Sequence, residues 1–209
     1  MEVQNSSTKD KVLHLLKKET SMTVNDLKDR LNITHMAVRK HLTVLENNGF
    51  VCSRENKQAL GRPTQIYYLT EKGEKFFPKN YEGLSLEFLH DINELYGSTA
   101  IEQLFKKREQ RLTEEYSKRM DHKTNEEKIS ELVSIQNEKG YMATAMKTAD
   151  SSYELTEYNC PILAVAHSYK TACHCETQLL KTVLETEKIK RVNCKTDGNE
   201  HCKFQIHFN

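Results

Sequence analysis

The sequence predicts a mainly α chain with α+β parts, in three segments: helices closed by a hairpin over residues 1–79, helices over 80–139, and a small α+β, cysteine-rich region over 140–209. Three observations predict it. Apolar residues recur at helical spacing through the first two segments. Short β-rich runs bounded by turn residues occur at 50–69 and return after Gly140. Five of the six cysteines, Cys160, Cys173, Cys175, Cys194 and Cys202, fall in the last fifty residues.

Composition narrows the classes. With 37% hydrophobic residues among 209 and no apolar run of spanning length, a membrane protein is excluded. The opening MEVQNSSTKD lacks an apolar segment behind its charges and reads as a frayed terminus, so a cytoplasmic location with reduced thiols is expected. The net charge of +1 is unevenly spread. Residues 1–79 carry 14 Lys+Arg against 9 Asp+Glu, a balance of +5, and residues 80–209 carry 17 against 21, a balance of −4. The basic part is where nucleic acid would bind.

Val12, Leu13, Leu15 and Leu16 place a first helix over Lys9 to Lys18, and Thr20 to Thr23 interrupts it. Thr23 can cap a short second helix with Val24, Leu27 and Leu31. Asn32-Ile33-Thr34 then turns into a third, whose stripe is Val38, Leu42 and Leu45. Two short helices joined by such a turn form a helix-turn-helix. Asn47-Asn48-Gly49 suits a left-handed end. Phe50-Val51-Cys52 and Gln65 to Leu69 flank a polar loop, Arg54 to Thr64, as strands flank a wing, and Cys52 is expected on the core side as a small buried apolar residue.

The third helix from Thr34 to Leu42, the closing Leu45 to Val51, and Gly61-Arg62-Pro63 followed by Tyr68 to Gly73 resemble the winged-helix repressors of bacteria, of the ArsR and DeoR groups. A helix fits the major groove with side chains of its first turns at base edges, and an arginine at a wing tip can enter the minor groove. Thr34, His35, Met36, Arg39, Lys40 and Thr43 on the helix, and Arg62 in the wing, are therefore the expected contacts with double-stranded DNA. For Arg39 or Lys40 taken singly, a solvated helix face explains the charge equally well.

In the middle segment Leu84, Phe88, Ile92 and Leu95 make an amphipathic helix ending near Gly97. Ser98 opens a second with Ile101, Leu104, Phe105, Leu112 and Tyr116, and Thr124 with Glu127 forms a capping box for a third. A thin apolar stripe on a long helix next to such a DNA-binding unit suits a homodimer on a pseudo-palindromic operator.

After Gly140, Tyr141–Lys147 and Ser152–Tyr158 read as a hairpin, 161–168 and 171–184 as helices, and 189–193 and 203–208 as strands around Asp197-Gly198. Thiolates in a reducing compartment ligate soft metals, and four from one small domain suit tetrahedral zinc or an iron–sulfur cluster. Structural zinc usually pairs its ligands two to four residues apart, and Cys173-His174-Cys175 alone comes near that. Cys160 is followed by Pro161, as the last ligand of a ferredoxin run often is. The Cys173–Cys175 pair could also exchange thiols, with a one-residue gap shorter than the usual redox motif. His174, His201 and His207 are further possible ligands. The chain shows no nucleophile with a paired base, no phosphate-binding glycine loop and no carboxylate pair, so an enzyme is not expected.

Asn159-Cys160-Pro161, Cys173 after twelve intervening residues, Glu176, Leu179-Leu180, Arg191, and Asp197-Gly198 before Cys202 look like the Suf-operon regulators, the SufR-like proteins of bacteria. That resemblance spans nearly the whole chain. It implies a repressor whose C-terminal iron–sulfur cluster, [4Fe–4S] rather than [2Fe–2S], reports cluster supply to the promoter of the assembly genes. It also implies Cys160, Cys173 and Cys202 as ligands. Some members place the third ligand near position 186, where this chain has Thr186. Cys194 is then the natural substitute, with Cys175 as competitor, and a zinc site remains the alternative cofactor.

Overall fold

The computed structural model describes residues 7–56 and 63–208. The chain divides after Lys79 into two compact units. In the first, α1 (Thr8–Glu19), α2 (Val24–Leu31) and α3 (His35–Asn47) pack over a three-stranded antiparallel sheet. Ser7 and Thr23 each cap the following helix in a reciprocal box with Asp10 and Asp26, so the start of each helix has its orphan amides satisfied. Asn32 takes the left-handed conformation at the end of α2 (φ 51°), which lets three residues turn the chain into α3. The core is the expected one: Val12, Leu13, Leu16, Leu27, Val38, Leu42 and Leu45 are all buried together.

Two details of this unit depart from expectation. Residues Ser21–Thr23, read as a mere helix stop, form a strand, β1, that pairs with β3 (Thr64–Leu69) opposite β2 (Val51–Asn56). Three residues are too few to show an alternation, so only the pairing reveals the strand. Cys52 is also not in the core. Alternation along β2 sends Val51 inward, and Cys52 stands half-buried with its sulfur 3.9 Å from the Tyr68 carbonyl. A short helix, α4 (Glu71–Glu74), follows β3. Its Gly73 passes against the chain so closely that a Cβ there would lie 2.1 Å from the Phe50 carbonyl oxygen.

The second unit holds α5 (Tyr81–Tyr96), α6 (Ser98–Met120), α7 (Asn125–Glu138), β4 (Ala143–Ala149), β5 (Ser152–Glu157), α8 (Leu163–Ser168), α9 (Thr171–Leu184), β6 (Ile189–Asn193) and β7 (Cys202–His207). Its sheet is antiparallel in the order β4-β5-β7-β6. The segments expected as a helical connector and as a separate cysteine-rich domain share one core. Tyr116 and Met120 of α6 and Ile129, Leu132 and Ile135 of α7 are buried with Leu155, Leu180, Leu184, Phe204 and Ile206. A seventy-residue α+β piece has too little apolar surface of its own, and the two helices complete it.

Three local devices set the cysteine-bearing end of this sheet. Asn159 donates from its backbone to Tyr141 O (2.9 Å) and from its amide to Gly140 O (2.7 Å), which fixes the turn into Cys160. The register of β6 on β7 slips between Arg191 and Asn193, a bulge that re-aims the side chains leading to Cys194. Cys194 O then accepts from Asp197 N (3.0 Å) and from the Asn199 side chain (3.0 Å), closing a 3-10 turn that Gly198 ends at φ 89°.

Candidate nucleic-acid interface and metal centre

On α3, Val38, Leu42 and Leu45 turn inward, and the spacing leaves His35, Met36, Arg39, Lys40 and Thr43 exposed. Met36 is 78% exposed on the face away from that core. Arg39 Nε lies 3.4 Å from His35 Nδ1, so the two side chains stand together one turn apart. Thr34 instead caps the helix, its hydroxyl oxygen accepting from Ala37 N (3.2 Å). Arg62 lies outside the described residues. Arg54 on β2, which the sequence did not single out, is exposed with its guanidinium 5.8 Å from the Tyr68 ring centroid, at the approach to the wing.

In the second unit the four expected ligands come from four stretches of chain: the turn after β5, the first turns of α9, the end of β6 and the start of β7. Cys173 and Cys194 sulfurs are 3.9 Å apart. Thr196 Oγ1 lies 3.1 Å from Cys194 Sγ and 3.9 Å from Cys173 Sγ. Cys202 Sγ accepts from Lys195 N at 3.4 Å. The sulfurs also sense one another: Cys160 is raised partly by the charge of Cys173, and Cys202 partly by that of Cys194.

Burial pushes the Cys160 thiol to about 11 and the Cys202 thiol to about 12. Burial also raises Cys173. Cys194 goes the other way. Burial opposes its ionisation, but hydrogen bonds with Thr196 and the Arg191 guanidinium outweigh that and lower it. Arg191 Nη1 is 3.6 Å from Cys194 Sγ, and Arg191 Nη2 is 3.2 Å from Glu176 Oε2 in an ion pair of the buried Glu176 with a half-buried Arg191. Glu157, opposite Cys202 in the sheet register, is 1% exposed and its Oε1 has no partner. Its carboxyl is pushed well up by burial and by the Glu176 charge, which favours the protonated form.

Cys175 stands apart from this group. On α9 it lies two residues beyond Cys173, so it faces the opposite side, buried with Ile101, Phe105, Ala166 and Ala172. Burial and Glu109 push its thiol to about 11. Thr186, the alternative third-ligand position, donates from its hydroxyl to His207 O (2.6 Å), at the far end of β7 from Cys202. Five residue-to-residue steps along the strand separate the two ends, about 17 Å. Of the histidines, His174 is exposed beside Cys173, His201 packs near the Tyr158 ring (5.9 Å), and His207 meets Ser152 Oγ (2.9 Å) at that far end. Elsewhere His90, Asp91 and Glu94 bring ligand atoms within 4.8 Å of one another on exposed α5, while among the described residues no three cysteine sulfurs come that close.

Residues 9–86 match the family model described as winged helix DNA-binding domain. The N-terminal unit is a winged-helix DNA-binding domain. Solved structures similar to the chain include the adhesin competence repressor AdcR of Streptococcus pyogenes (20% identity, 48% of this chain and 75% of that one, TM-score 0.29). Another is the MarR family regulator NMB1585 of Neisseria meningitidis (21%, 48% and 68%, TM-score 0.31). A third is PadR of Bacillus subtilis in complex with operator DNA (18%, 64% and 92%, TM-score 0.30). No curated protein matches the chain. Among the described expected contacts, Thr34 caps α3 and Arg39 is hydrogen-bonded to His35. Glu157, near the cysteine centre, was missed by the sequence reading although it shares the inward phase of Tyr153 and Leu155 on β5. Lys170 was also missed, because it reaches Thr196 O (2.8 Å) across 26 residues of sequence.

Proposed function

We propose that the chain is a transcription regulator, not an enzyme, that binds operator DNA through α3 and the wing and carries an iron–sulfur cluster on Cys160, Cys173, Cys194 and Cys202. The observation that carries this reading is the gathering of those four cysteines at one end of the C-terminal sheet, with Cys175 turned away. The residues fit the group. The buried Arg191 guanidinium offsets thiolate charge, and its Nε, like Glu157 Oε1, is a buried polar atom without a protein partner. A cluster supplies a redox-sensitive and labile link among the four stretches of chain. In the likeness to the Suf-operon regulators, the cluster is [4Fe–4S] and the controlled genes are those of cluster assembly.

Mononuclear zinc is the weaker alternative. Four thiolates at about 2.3 Å from one ion must lie about 3.8 Å from each other. The Cys173–Cys194 pair has such a spacing, but among the described residues no three cysteine sulfurs lie within 4.8 Å of one another, whereas a cluster gives each thiolate its own iron and accepts a wider spread. Thiol exchange by Cys173 and Cys175 is disfavoured because side chains two residues apart on a helix do not face each other. Purification without oxygen tests the reading. A brown protein with matched iron and acid-labile sulfide is expected, and a colourless one with stoichiometric zinc overturns it.

A further inference from the structure

The geometry points to Cys173 and Cys194 as a dithiol that closes to a disulfide when the metal-free chain meets a hydroperoxide. Their sulfurs, 3.9 Å apart, need to approach by about 2 Å to bond. They lie on separate elements, the first turns of α9 and the end of β6, so neither is locked to the other by a shared helix. A cleft of about 240 Å³ lined by Lys170, Cys173, Thr177, Arg191, Cys194 and Thr196 opens over the pair and admits a small peroxide. Cys160 and Cys202 do not line it.

The surroundings assign the two sulfurs different roles. Cys194 receives the Arg191 guanidinium and the Thr196 hydroxyl, both groups that stabilise a sulfur anion. Cys194 Sγ attacks the peroxide: an S–O bond forms, the O–O bond breaks, and the departing alkoxide or hydroxide leaves as alcohol or water after taking a proton. Cys173 Sγ then attacks Cys194 Sγ, the S–S bond forms, the S–O bond breaks, and hydroxide leaves as water with the Cys173 proton. Two thiols are oxidised by two electrons and one peroxide is reduced. Lys170, bonded to Thr196 O and Thr196 Oγ1 (both 2.8 Å) and ion-paired with Asp197, holds the turn that carries Cys194 while α9 supplies the partner.

The inference does not rest on the cluster, since it concerns the thiols when no metal occupies them. The 209-residue chain is purified under nitrogen, freed of metal with a chelator, treated with one equivalent of hydrogen peroxide, alkylated and digested with trypsin. Four of the six thiols are expected to remain alkylatable. Peptide 171–181 should appear joined to peptide 192–195 and return to the free forms with dithiothreitol. Because the first peptide also contains Cys175, fragmentation must place the bond on Cys173, and Cys175→Ser must keep it. In Cys173→Ser, Cys194 should instead be trapped as a sulfenic acid by a dimedone probe. Six free thiols after peroxide, a bond to Cys160, Cys175 or Cys202, or a disulfide between chains would each overturn it. Iron content is a separate readout, so a chain that binds no cluster still tests the disulfide, and a failed disulfide leaves the cluster untouched.

Discussion

Arg39 and Lys40 stand exposed on α3 beside His35, one turn into a helix whose opposite face is entirely core. Arg39→Ala is expected to weaken operator binding by about 1–3 kcal/mol if the guanidinium reads a base edge, and a phosphate contact would instead lower the salt slope by about one. Binding isotherms at several salt concentrations separate the two, and unchanged binding at every salt would remove α3 from the interface. At the cysteine centre the decisive residues are Cys175 and Cys194. Serine at Cys160, Cys173, Cys194 or Cys202 should each lower iron content, because a hard oxygen replaces a soft thiolate poorly. Cys175→Ser and Cys52→Ser should retain it. Iron lost in Cys175→Ser together with iron kept in Cys194→Ser would reverse the ligand assignment.

Among the elements, α2 depends on its cap. Thr23 Oγ1 and backbone N both donate to Asp26 Oδ2 (2.7 and 2.8 Å), and Asp26 N donates back to Thr23 Oγ1 (3.2 Å). Thr23→Ala should cost about 1 kcal/mol in denaturant unfolding. The same bonds hold the Asp26 carboxyl below its ordinary value. Its contribution is therefore full above the ordinary carboxylate range and is lost as pH falls through the lowered folded value, and Thr23→Ala should flatten that acid limb. Gly73→Ala meets backbone, not a movable side chain, at 2.1 Å and should destabilise the winged-helix domain by about 1–3 kcal/mol. Calorimetry showing no loss would contradict that packing. These elements also show what a sequence reveals. Helix starts were legible because capping pairs and apolar stripes are local, as at Thr23 with Asp26 and Thr124 with Glu127. The strand Ser21–Thr23 was not, since only its hydrogen bonds to Ile66–Tyr68 define it. The cysteines stood out as a set of candidate ligands, with Cys194 preferred to Cys175, but that Cys175 is buried with Ile101 and Phe105 of α6 is a packing outcome that spacing leaves open.

For the molecule as a whole, the least satisfied surface is α5, none of whose residues is fully buried. Leu89 and Ile92 pack partly against α6 and α8, whereas Phe88 is 58% exposed and Leu95 72%. Such a face on a DNA-binding chain suits a second copy, because two recognition helices related by a two-fold axis match a pseudo-palindromic operator. The chain is expected to elute as a dimer and to protect two half-sites one helical turn, or a multiple, apart. Phe88→Glu should yield monomers that still melt cooperatively. A wild-type monomer covering one half-site would reject the arrangement. A cluster held as proposed above would act at this scale as a linked ligand. Binding that is confined to the folded state stabilises by about 2.7 kcal/mol when free ligand stands at about 100 times its Kd, so cluster removal should lower the melting of the C-terminal unit. Because α5, α6 and α7 share that unit with the cysteines, a loosened cysteine end also loosens the helices that would set the spacing of two DNA-binding domains in a dimer. Operator affinity should therefore differ between the cluster-loaded and cluster-free dimer by the coupling free energy that spacing carries, typically about 1–3 kcal/mol. Equal affinities at one salt concentration would leave the cluster bound but without a regulatory role.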